Sequence, residues 1–372
     1  MVSSDDARSA LEVLIIGAGF AALCAAIELD AAGRSRFLVV DKAHGLGGTW
    51  WHNRYPGATC DIASHLYCYS FEPNPNWSHL FSPQAEIQAY LEHCATKYEI
   101  RHRLRLGVEV QALAFDAASR IWRVSTDGDE IHARHIINAT GGLHKPLVPH
   151  FNGAQKFAGV QMHTAQWRDE VELKGKRIAV IGSAASAIQV IPALAREAHA
   201  VTIFQRTPNY IAPRRDYAYS AQQKRRFQQR PRWAQLYRQL LFLRGELLLW
   251  PVIKHKRFRQ KVTKAILKYL HTKIDEPALR ARLQPDYELG CKRILVSDDY
   301  YDALRKPNVE LVTVPIERFD QTRLHTRDGN TYDADIVVYA TGFDLPGHWH
   351  SIDVTGAHGQ RLRDVWSAHA HA

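Results

Sequence analysis

The sequence contains few cysteines, and their spacing excludes a disulfide framework. Five cysteines occur in 372 residues, at Cys24, Cys60, Cys68, Cys94 and Cys291. No two of them form a Cys-x-x-Cys pair, so a redox-active dithiol is excluded as well. Cys60, His65 and Cys68 are close in sequence, but no second Cys/His pair completes a four-ligand zinc site, and we expect no metal. An odd number of free thiols indicates a reducing compartment, so we expect a cytoplasmic protein.

Long hydrophobic runs are also missing. The nearest candidate, residues 240–253, is interrupted by Arg244, Glu246 and Pro251, and it falls short of the roughly 18 uncharged apolar residues of a membrane span. Residues 1–10 hold two aspartates and no basic region before the first apolar run, which is unlike a secretory signal peptide. Hydrophobic residues still make up 46% of the chain, which is enough for a sizeable core. The length predicts two or three domains.

Negative charge is scarce in one segment only. The chain has 48 Lys+Arg and 38 Asp+Glu, a formal net charge of +10 at pH 7. Residues 217–285 hold 17 of these cations and 3 of the acids, a net charge of +14 that leaves −4 for the remainder. The pattern predicts helices with Leu236, Leu240 and Leu243 on one face and charge on the other. We treat this segment as a helical insertion at about residues 211–290.

The insertion is most simply interpreted as a solvated basic face, since charged helix faces usually meet water. A peripheral contact with an anionic membrane is the alternative, because basic amphipathic helices bind such surfaces. Nucleic acid is disfavoured as a partner, since the segment has neither interleaved aromatic residues nor a recognisable nucleic-acid-binding motif.

The N-terminal part of the chain is predicted to form a strand–turn–helix–strand unit. An apolar, β-branched run at residues 12–16 indicates a buried parallel strand, and an alanine-rich helix covers residues 23–32. A second apolar strand at residues 36–40 ends on Asp41, at the spacing of an acid that binds a ribose 2′-hydroxyl. The turn Gly17-Ala18-Gly19-Phe20-Ala21-Ala22 matches the dinucleotide fingerprint, with alanine as its third small residue. The predicted cofactor residues are Gly17, Gly19, Phe20 and Asp41.

A second unit of the same kind begins at residue 177. Apolar strands are predicted at residues 177–181 and 200–204, and the helix between them runs to Arg196. The turn Gly182-Ser183-Ala184 has alanine in place of the middle glycine, and its Cβ crowds the approach of a pyrophosphate. Arg206 follows the second strand, where a cation accommodates the 2′-phosphate of NADP(H); a solvated surface arginine is the alternative. The predicted cofactor residues are Gly182, Ser183, Ser186, Gln189 and Arg206.

Two dinucleotides in one chain indicate FAD reduced by a nicotinamide, here NADPH. Because the chain has no cysteine pair to receive the electrons, we expect O₂ as the acceptor. The fold class is therefore α/β, with two doubly wound, Rossmann-like dinucleotide-binding domains and a helical insertion.

The expected domain boundaries follow from the order of the strands. Residues 108–115 and 121–126 are predicted to be antiparallel strands, and residues 135–138 a further apolar strand. The apolar strand at residues 335–339 is expected to return to the sheet of the first domain. The expected parts are 1–145 (first part of the FAD-binding domain), 146–334 (NADPH-binding domain) and 335–372 (incomplete return to the FAD-binding domain).

Several sequence blocks occur together in one enzyme family. They are GAGFAA (Gly17–Ala22), GGTWWHNRYPGATCD (Gly47–Asp61), SHLYCYSF (Ser64–Phe71), ATGGLHKP (Ala139–Pro146), FAGVQMHTAQW (Phe157–Trp167), FQRTPNY (Phe204–Tyr210), GCKRILVSDDYY (Gly290–Tyr301) and ATGFD (Ala340–Asp344). In this order they resemble the class B flavoprotein monooxygenases of the Baeyer–Villiger type, and the resemblance spans nearly the whole chain.

The most specific block is the tract of Phe157, Gly159, His163 and Trp167, which resembles the family fingerprint F-x-G-x-x-x-H-x-x-x-W. Arg168 follows where Pro or Asp is usual. The related N- and S-oxidising flavin monooxygenases typically end this tract with Tyr or Phe, so Trp167 favours the Baeyer–Villiger type. The tract lies between the two nucleotide units in sequence, where its histidine could couple their relative motion. A buried histidine bonded to backbone is the alternative.

The resemblance implies an active site and a reaction. Asp61 and Arg293 match the family's active-site pair. NADPH would reduce FAD, O₂ would add at flavin C4a, and the resulting peroxyflavin would attack a ketone to give an ester or lactone. A guanidinium suits this site because it stays charged and can stabilise an oxyanion. The residues implied to bind the NADP 2′-phosphate are Arg206, Thr207 and Lys292. The residues implied to contact FAD are Thr49, Trp50, Asp61, Tyr67 and Val110.

Two other functions stay open at this point. One is an N- or S-oxidising flavin monooxygenase. The other is a nucleotide-binding protein without turnover, because family members usually continue past the last residue of this sequence. We expect the segment beyond that point to complete the flavin domain and part of the substrate pocket.

Overall fold

The computed structural model describes residues 9–345 and 351–366 of the chain. The chain forms two compact units, each built from more than one stretch of sequence. Unit 1 comprises residues 1–52, 87–146 and 343–372, and unit 2 comprises residues 53–86 and 147–342.

Strands form the framework of both units, and most coincide with apolar runs of the sequence. In chain order they are β1 (Leu11–Ile16), β2 (Phe37–Asp41), β3 (Leu104–Leu106), β4 (Val110–Asp116), β5 (Ile121–Thr126), β6 (Glu130–Asn138), β7 (Val160–His163), β8 (Arg177–Ile181), β9 (Ala200–Phe204), β10 (Ile211–Ala212), β11 (Leu295–Val296), β12 (Val309–Val312), β13 (Ile316–Phe319), β14 (Arg323–Thr326), β15 (Thr331–Asp333), β16 (Ile336–Tyr339) and β17 (Asp353–Thr355). The bounds predicted for β5, β8 and β9 are confirmed to the residue.

Helices connect the strands and build the insertion. In chain order they are α1 (Phe20–Ala31), α2 (Thr49–His52), α3 (Gln84–Lys97), α4 (Ala185–Glu197), α5 (Ala221–Gln229), α6 (Pro231–Lys254), α7 (Lys256–Lys273), α8 (Pro277–Leu283), α9 (Tyr300–Leu304) and α10 (Leu362–Val365). Short 3₁₀ turns lie at Ile100–Arg103, Ala154–Lys156 and Thr164–Gln166.

Unit 1 contains a seven-stranded mixed sheet in the order β17-β4-β5-β6-β1-β2-β3. Strands β6, β1, β2 and β3 are parallel, and β4, β5 and β6 form an antiparallel ribbon that includes the predicted pair. Leu14, Ile16 and Val40 are buried together with Val124 on one face. The first glycine turn therefore lies at the carboxyl end of an inner strand, where open α/β sheets bind ligands.

Unit 2 contains a five-stranded, fully parallel sheet in the order β12-β9-β8-β16-β7. Its strands are buried on both faces because side chains alternate between two cores. Ile178 and Val180 pack in the core that contains α4, whereas Ala179 and Ile181 pack with strands β13 and β14. This alternation explains why β8 is apolar at successive positions. The α/β class predicted from the two repeated units is confirmed.

The expectation that residues 335–339 return to the first sheet is wrong. Strand β16 pairs with β7 and β8 in unit 2, with Val337 opposite both Gln161 and Ala179. An apolar run indicates a buried strand but does not indicate which sheet includes it. Here Arg177, at the start of β8, binds Asp335, immediately before β16, with Nη2 2.7 Å from Oδ1. The segment 53–86, expected in the first domain, likewise belongs to unit 2.

The basic segment is helical, as the sequence predicts, and its helices α5 to α8 follow the short strand β10. Leu236, Leu240 and Leu243 share one face of α6, and that face is exposed. In the part of the chain that the structure describes, no helix is both long enough and apolar enough to cross a membrane.

The Arg177–Asp335 pair makes stability depend on pH. Hydrogen bonds from Arg177 hold the pKa of Asp335 below its usual value. A lowered pKa adds stability above the unfolded-state value of about 4, and that stability disappears as the pH falls through the folded-state pKa. We expect Asp335→Asn to lower the free energy of unfolding by about 1 kcal/mol at neutral pH, since the pair is one-third exposed and screened by solvent. Urea unfolding measures this.

The difference between Asp335→Asn and wild type should shrink as the pH falls below about 4. Asp30→Asn, on the exposed surface of α1, is the matched control and should stay within about 0.5 kcal/mol of wild type. If Asp335→Asn lowered the free energy of unfolding equally at neutral pH and below about pH 4, the lowered pKa of Asp335 would be contradicted.

Candidate active site

The turn between β1 and α1 is built around two glycines. Gly17 has a φ of +110°, and a Cβ there would overlap the carbonyl oxygen of Ala139. Gly19 is the N-cap of α1, and among the described residues no side chain caps this helix. A Cβ on Gly48 would lie only 2.9 Å from the Cα of Gly19. The two glycine segments thus approach closely beside the helix N-terminus, a geometry suited to a pyrophosphate.

Asp41, at the end of β2, is oriented by two backbone amides. Its Oδ2 accepts a hydrogen bond from Ala18 N–H at 2.6 Å, and its Oδ1 accepts one from Ala43 N–H at 2.8 Å. Each carboxylate oxygen has a second lone pair, so the group can also accept from a ribose hydroxyl. Asp41 lines a cleft of unit 1 whose free volume, including the part open to solvent, is about 670 Å³. The predicted residues on this cleft are Gly17, Asp41, Thr49 and Val110.

Two predicted aromatic residues of unit 1 have packing roles in the structure. The ring of Phe20 stacks on Tyr90 with centroids 6.2 Å apart. Trp50 is buried within α2. Their predicted contacts with a cofactor stay predictions.

The second glycine turn repeats the first. Gly182 has a φ of +118°, and a Cβ there would overlap the carbonyl oxygen of Ala340. Ala184 is the N-cap of α4 and has extended backbone; its methyl group is exposed. Ser183 Oγ donates to the carbonyl oxygen of Thr207 at 3.1 Å, which joins the turn to the loop after β9. The structure therefore brings Ser183 and Thr207 together, as a shared nucleotide site requires.

Gln189 and Ser186 bind protein groups in the structure, and their predicted contacts with the cofactor stay predictions. Gln189 Oε1 accepts from the hydroxyl of Tyr55 at 2.8 Å, and its Nε2 donates to the carbonyl oxygen of Thr59 at 3.0 Å. Ser186 also hydrogen-bonds Tyr55. A Cβ on Gly57 would lie 2.5 Å from the carbonyl oxygen of Gln189. These contacts hold the segment that leads to Asp61 against α4.

Asp61 and Arg293 form an ion pair within unit 2. Arg293 Nη2 lies 2.8 Å from Asp61 Oδ2, and the Arg293 side chain is 65% exposed while that of Asp61 is 33% exposed. Arg293 comes two residues before β11, which is fixed by the pairing of Leu295 with Ile211 and by a 2.9 Å hydrogen bond from Leu295 N–H to Tyr210 O. The guanidinium is thus oriented by one carboxylate and still accessible to a ligand.

The predicted 2′-phosphate residues are cations at the surface. Arg206 is exposed. It follows Gln205, which is the first residue after β9. Lys292 is also exposed, and its Nζ lies 4.6 Å above the centroid of the Tyr287 ring. Both side chains can turn towards an anion without breaking a buried contact.

The fingerprint tract holds the edge strand β7 in unit 2. Phe157 and Trp167 are buried in the two different cores of the five-stranded sheet. A Cβ on Gly159 would overlap the carbonyl oxygen of Asp335 and lie 2.6 Å from the Phe157 ring. His163 is buried, its Nδ1 accepts from Ala165 N–H at 3.0 Å, and burial lowers its pKa. A hydrogen bond with the Gly342 backbone opposes that shift.

Two arginines that the motifs did not single out support the loop around Asp61. Arg214 Nη2 donates to the carbonyl oxygen of Cys60 at 3.1 Å. Arg238 Nη1, from α6, donates to the carbonyl oxygen of His65 at 2.6 Å, two residues before the half-buried Tyr67. Neither arginine lies in a recognisable spacing pattern with its partner, because the contacts join distant parts of the chain.

Fold and turns together define a class of protein, an oxidoreductase with two dinucleotide-binding sites. In agreement, residues 14–232 match the family model described as pyridine nucleotide-disulphide oxidoreductase. Among solved structures, cyclohexanone monooxygenase from Rhodococcus sp. Phi1 bound to NADP⁺ is similar with a TM-score of 0.89 and 29% identity, over 97% of this chain and 76% of that one. An oxidised steroid monooxygenase bound to NADP is similar with a TM-score of 0.87 and 32% identity, over 98% and 77%.

Curated relatives narrow the class. A Baeyer–Villiger monooxygenase of Streptomyces coelicolor is 38% identical over 366 residues, which cover 98% of this chain and 70% of the relative. Another, of Pseudomonas aeruginosa, is 37% identical over 359 residues, covering 96% and 68%. The chain belongs to the Baeyer–Villiger monooxygenases, as the sequence blocks predict.

The packing of Gly159 generates a test. We expect Gly159→Ala to lower the free energy of unfolding by about 1–3 kcal/mol, because the added methyl group meets backbone and a buried ring. Gly128→Ala is the matched control, since a Cβ there meets nothing within 4 Å. Urea denaturation of both variants measures the difference, and equal midpoints would contradict a packing role for Gly159.

Proposed function

We propose that the chain binds FAD through unit 1 and NADPH through unit 2, and that it uses O₂ to convert a ketone into an ester or lactone. The observation that carries this proposal is the Asp61–Arg293 pair in a chain of this family. FAD supplies, when bound, the redox and oxygen-activating chemistry that amino-acid side chains lack. We assign to these two units the FAD-binding and NADPH-binding roles that the sequence leads us to expect.

The groups around the first glycine turn fit an adenine dinucleotide. Gly19 and Gly48 leave room that a Cβ would fill, and the uncapped end of α1 favours a negatively charged group. Asp41 would accept from the ribose, and Thr49 and Val110 line the same cleft. Tyr67 and Asp61 are proposed as further contacts of the cofactor.

The groups around the second turn fit NADPH. Gly182 and Ser183 lie at the N-terminus of α4, and Thr207 is joined to Ser183 by a hydrogen bond. The exposed cations Arg206 and Lys292 would bind the 2′-phosphate through charge-assisted hydrogen bonds. Because β9 is followed by Gln205 and Arg206 rather than by an acid, NADPH is favoured over NADH.

Arg293 would bind the oxygen of the ketone and stabilise the negative charge that develops there. A guanidinium cannot lose its proton in the working range, so its charge is constant. Asp61 holds Nη2 at 2.8 Å and leaves other N–H donors of the fork available to a ligand. Fixed donors of this kind cost no reorganisation when charge develops.

The predicted cellular location, substrates and lipid contact are also part of this proposal. We place the protein in the cytoplasm, on the basis of its five free cysteines. A small ketone and O₂ are its substrates. Peripheral contact between the basic helices and anionic lipid stays a prediction of the sequence.

The role of Arg293 can be tested directly. We expect Arg293→Ala, reconstituted with FAD, to continue to consume NADPH while ester formation falls at least about 10²-fold, because an oxyanion donor is lost. Product analysis by gas chromatography beside NADPH absorbance separates the two activities. Arg305→Ala removes another exposed arginine that is ion-paired with an aspartate, and it should retain ester formation. Retained ester formation in Arg293→Ala would remove this residue from the mechanism.

Nucleotide selectivity provides a second test. We expect Arg206→Ala to raise KM for NADPH about tenfold and to leave KM for NADH nearly unchanged, since a single charge-assisted contact to the 2′-phosphate is lost. Arg196→Ala, an exposed arginine at the end of α4, is the control. Equal effects on both nucleotides would show that Arg206 does not read the 2′-phosphate.

A further inference from the structure

Helix α6 exposes a long apolar stripe. Its residues are Leu236, Leu240, Leu243, Leu247 and Trp250, and each has between 44% and 64% of its surface exposed. Their spacing of four and three residues places them on one side of the helix. Large side chains in such a contiguous patch are unusual on a free protein surface and indicate an interaction site.

The apolar surface is wider than this stripe. Phe242, Leu249 and Ile253 are exposed by 60%, 57% and 67%, and they lie roughly a third of a turn away around the helix. Together the two rows span about half of the helix circumference, with Gln239 and Glu246 between them. A partner helix would cover a narrow seam with charged flanks, so the width favours a broad apolar medium.

The side of α6 opposite the apolar stripe packs against the rest of unit 2. These contacts fix which side of the helix is exposed to solvent. Ala234 and Val252 are buried on the packed side. Arg238 donates from this side to the carbonyl oxygens of His65 and Cys68, at 2.6 Å and 3.3 Å. The helix therefore does not depend on its exposed leucines for its attachment.

The sequence of α6 and α7 carries mostly positive charge, although Arg259 pairs with Glu288 and Lys273 with Asp302. Residues 231–273, which contain α6 and α7, hold 11 Lys+Arg and one acid, Glu246. Lys256, Lys261 and Lys264 are exposed on α7, and Lys254 Nζ lies 4.9 Å from the Trp250 ring centroid. Apolar and aromatic side chains beside clustered cations match the interface of an anionic bilayer.

We propose that α6 binds anionic lipid membranes peripherally, with its apolar half in the boundary between headgroups and acyl chains and the cations of α7 on the phosphates. The helix lies on the membrane and does not cross it, in keeping with its charged residues Arg244 and Glu246. Membrane binding by this surface depends on neither flavin nor nicotinamide. If the protein does not bind membranes, the proposed oxidation of ketones is unaffected.

Vesicle sedimentation tests this surface. Purified protein is mixed with vesicles of phosphatidylcholine alone or of phosphatidylcholine with phosphatidylglycerol, and the fraction that pellets is measured at low and high salt. Wild type should pellet with phosphatidylglycerol vesicles, more weakly at high salt. The triple variant Leu240→Ser/Leu243→Ser/Leu247→Ser should lower the partition coefficient at least about tenfold, because three apolar anchors are lost.

Matched variants separate the apolar contribution from the charge. Leu147→Ser/Val148→Ser/Val365→Ser removes three other exposed apolar side chains and should bind like wild type. Lys256→Glu/Lys261→Glu/Lys264→Glu should abolish the preference for phosphatidylglycerol, whereas Lys156→Glu/Lys174→Glu/Lys176→Glu, on an exposed surface elsewhere, should preserve most of it. Unchanged circular dichroism shows that each variant is folded.

The proposal is overturned if wild type does not pellet with phosphatidylglycerol vesicles, or if the α6 triple variant pellets as well as wild type. Sedimentation equilibrium supplies the competing outcome. Wild type could be dimeric and the α6 triple variant monomeric, with no vesicle binding by wild type. This surface would then be a contact between two copies of the chain, and the proposal would also be overturned.

Discussion

Both nucleotide turns depend on the same close approach of backbone to backbone. In unit 1, Gly17 N–H donates to Val40 O at 2.7 Å and Ala139 N–H donates to Ile16 O at 2.8 Å. In unit 2, the equivalent bonds run from Gly182 to Phe204 at 3.0 Å and from Ala340 to Ile181 at 2.9 Å. In each case a Cβ on the glycine would overlap the alanine carbonyl. This contact positions each turn beside the N-terminus of the helix that follows, where an anion can bind.

Given this contact, the residue that follows the neighbouring strand determines which nucleotide group the site can bind. Asp41 in unit 1 is oriented by the turn's own amide, Ala18 N–H, and presents a carboxylate. The first residue after β9 is Gln205, which is buried and donates to Arg282 O at 2.8 Å. It is therefore committed to α8, and Arg206 is the first exposed side chain after the strand. Two similar frameworks thus offer opposite charges to their ligands.

The glycine turns and the strands beside them were accessible from the sequence because they depend on neighbours along the chain. Strands β8 and β9 were predicted to the residue, since buried parallel strands are continuous apolar runs. The sheet of β16 was not, because it is determined by pairing with β7 and β8, which are distant from it in sequence. Periodicity placed the leucines of α6 on one face but carried no information on whether anything covers it. The pair of Asp61 and Arg293 was found through the family resemblance, as the two residues are distant in sequence.

The Asp61–Arg293 pair lies among groups whose charges do not change near neutral pH. Burial raises the pKa of the neighbouring Cys60 thiol to about 12, so it stays protonated, and burial together with Arg238 lowers the pKa of His65 to about 4, so it stays neutral. Arg214 and Arg238 bind backbone carbonyls on either side of Asp61 and keep their charge at any working pH. These two side chains and the two arginines therefore keep their charge near neutral pH. Such constancy is what a fixed oxyanion donor requires, since its benefit depends on being oriented before charge develops.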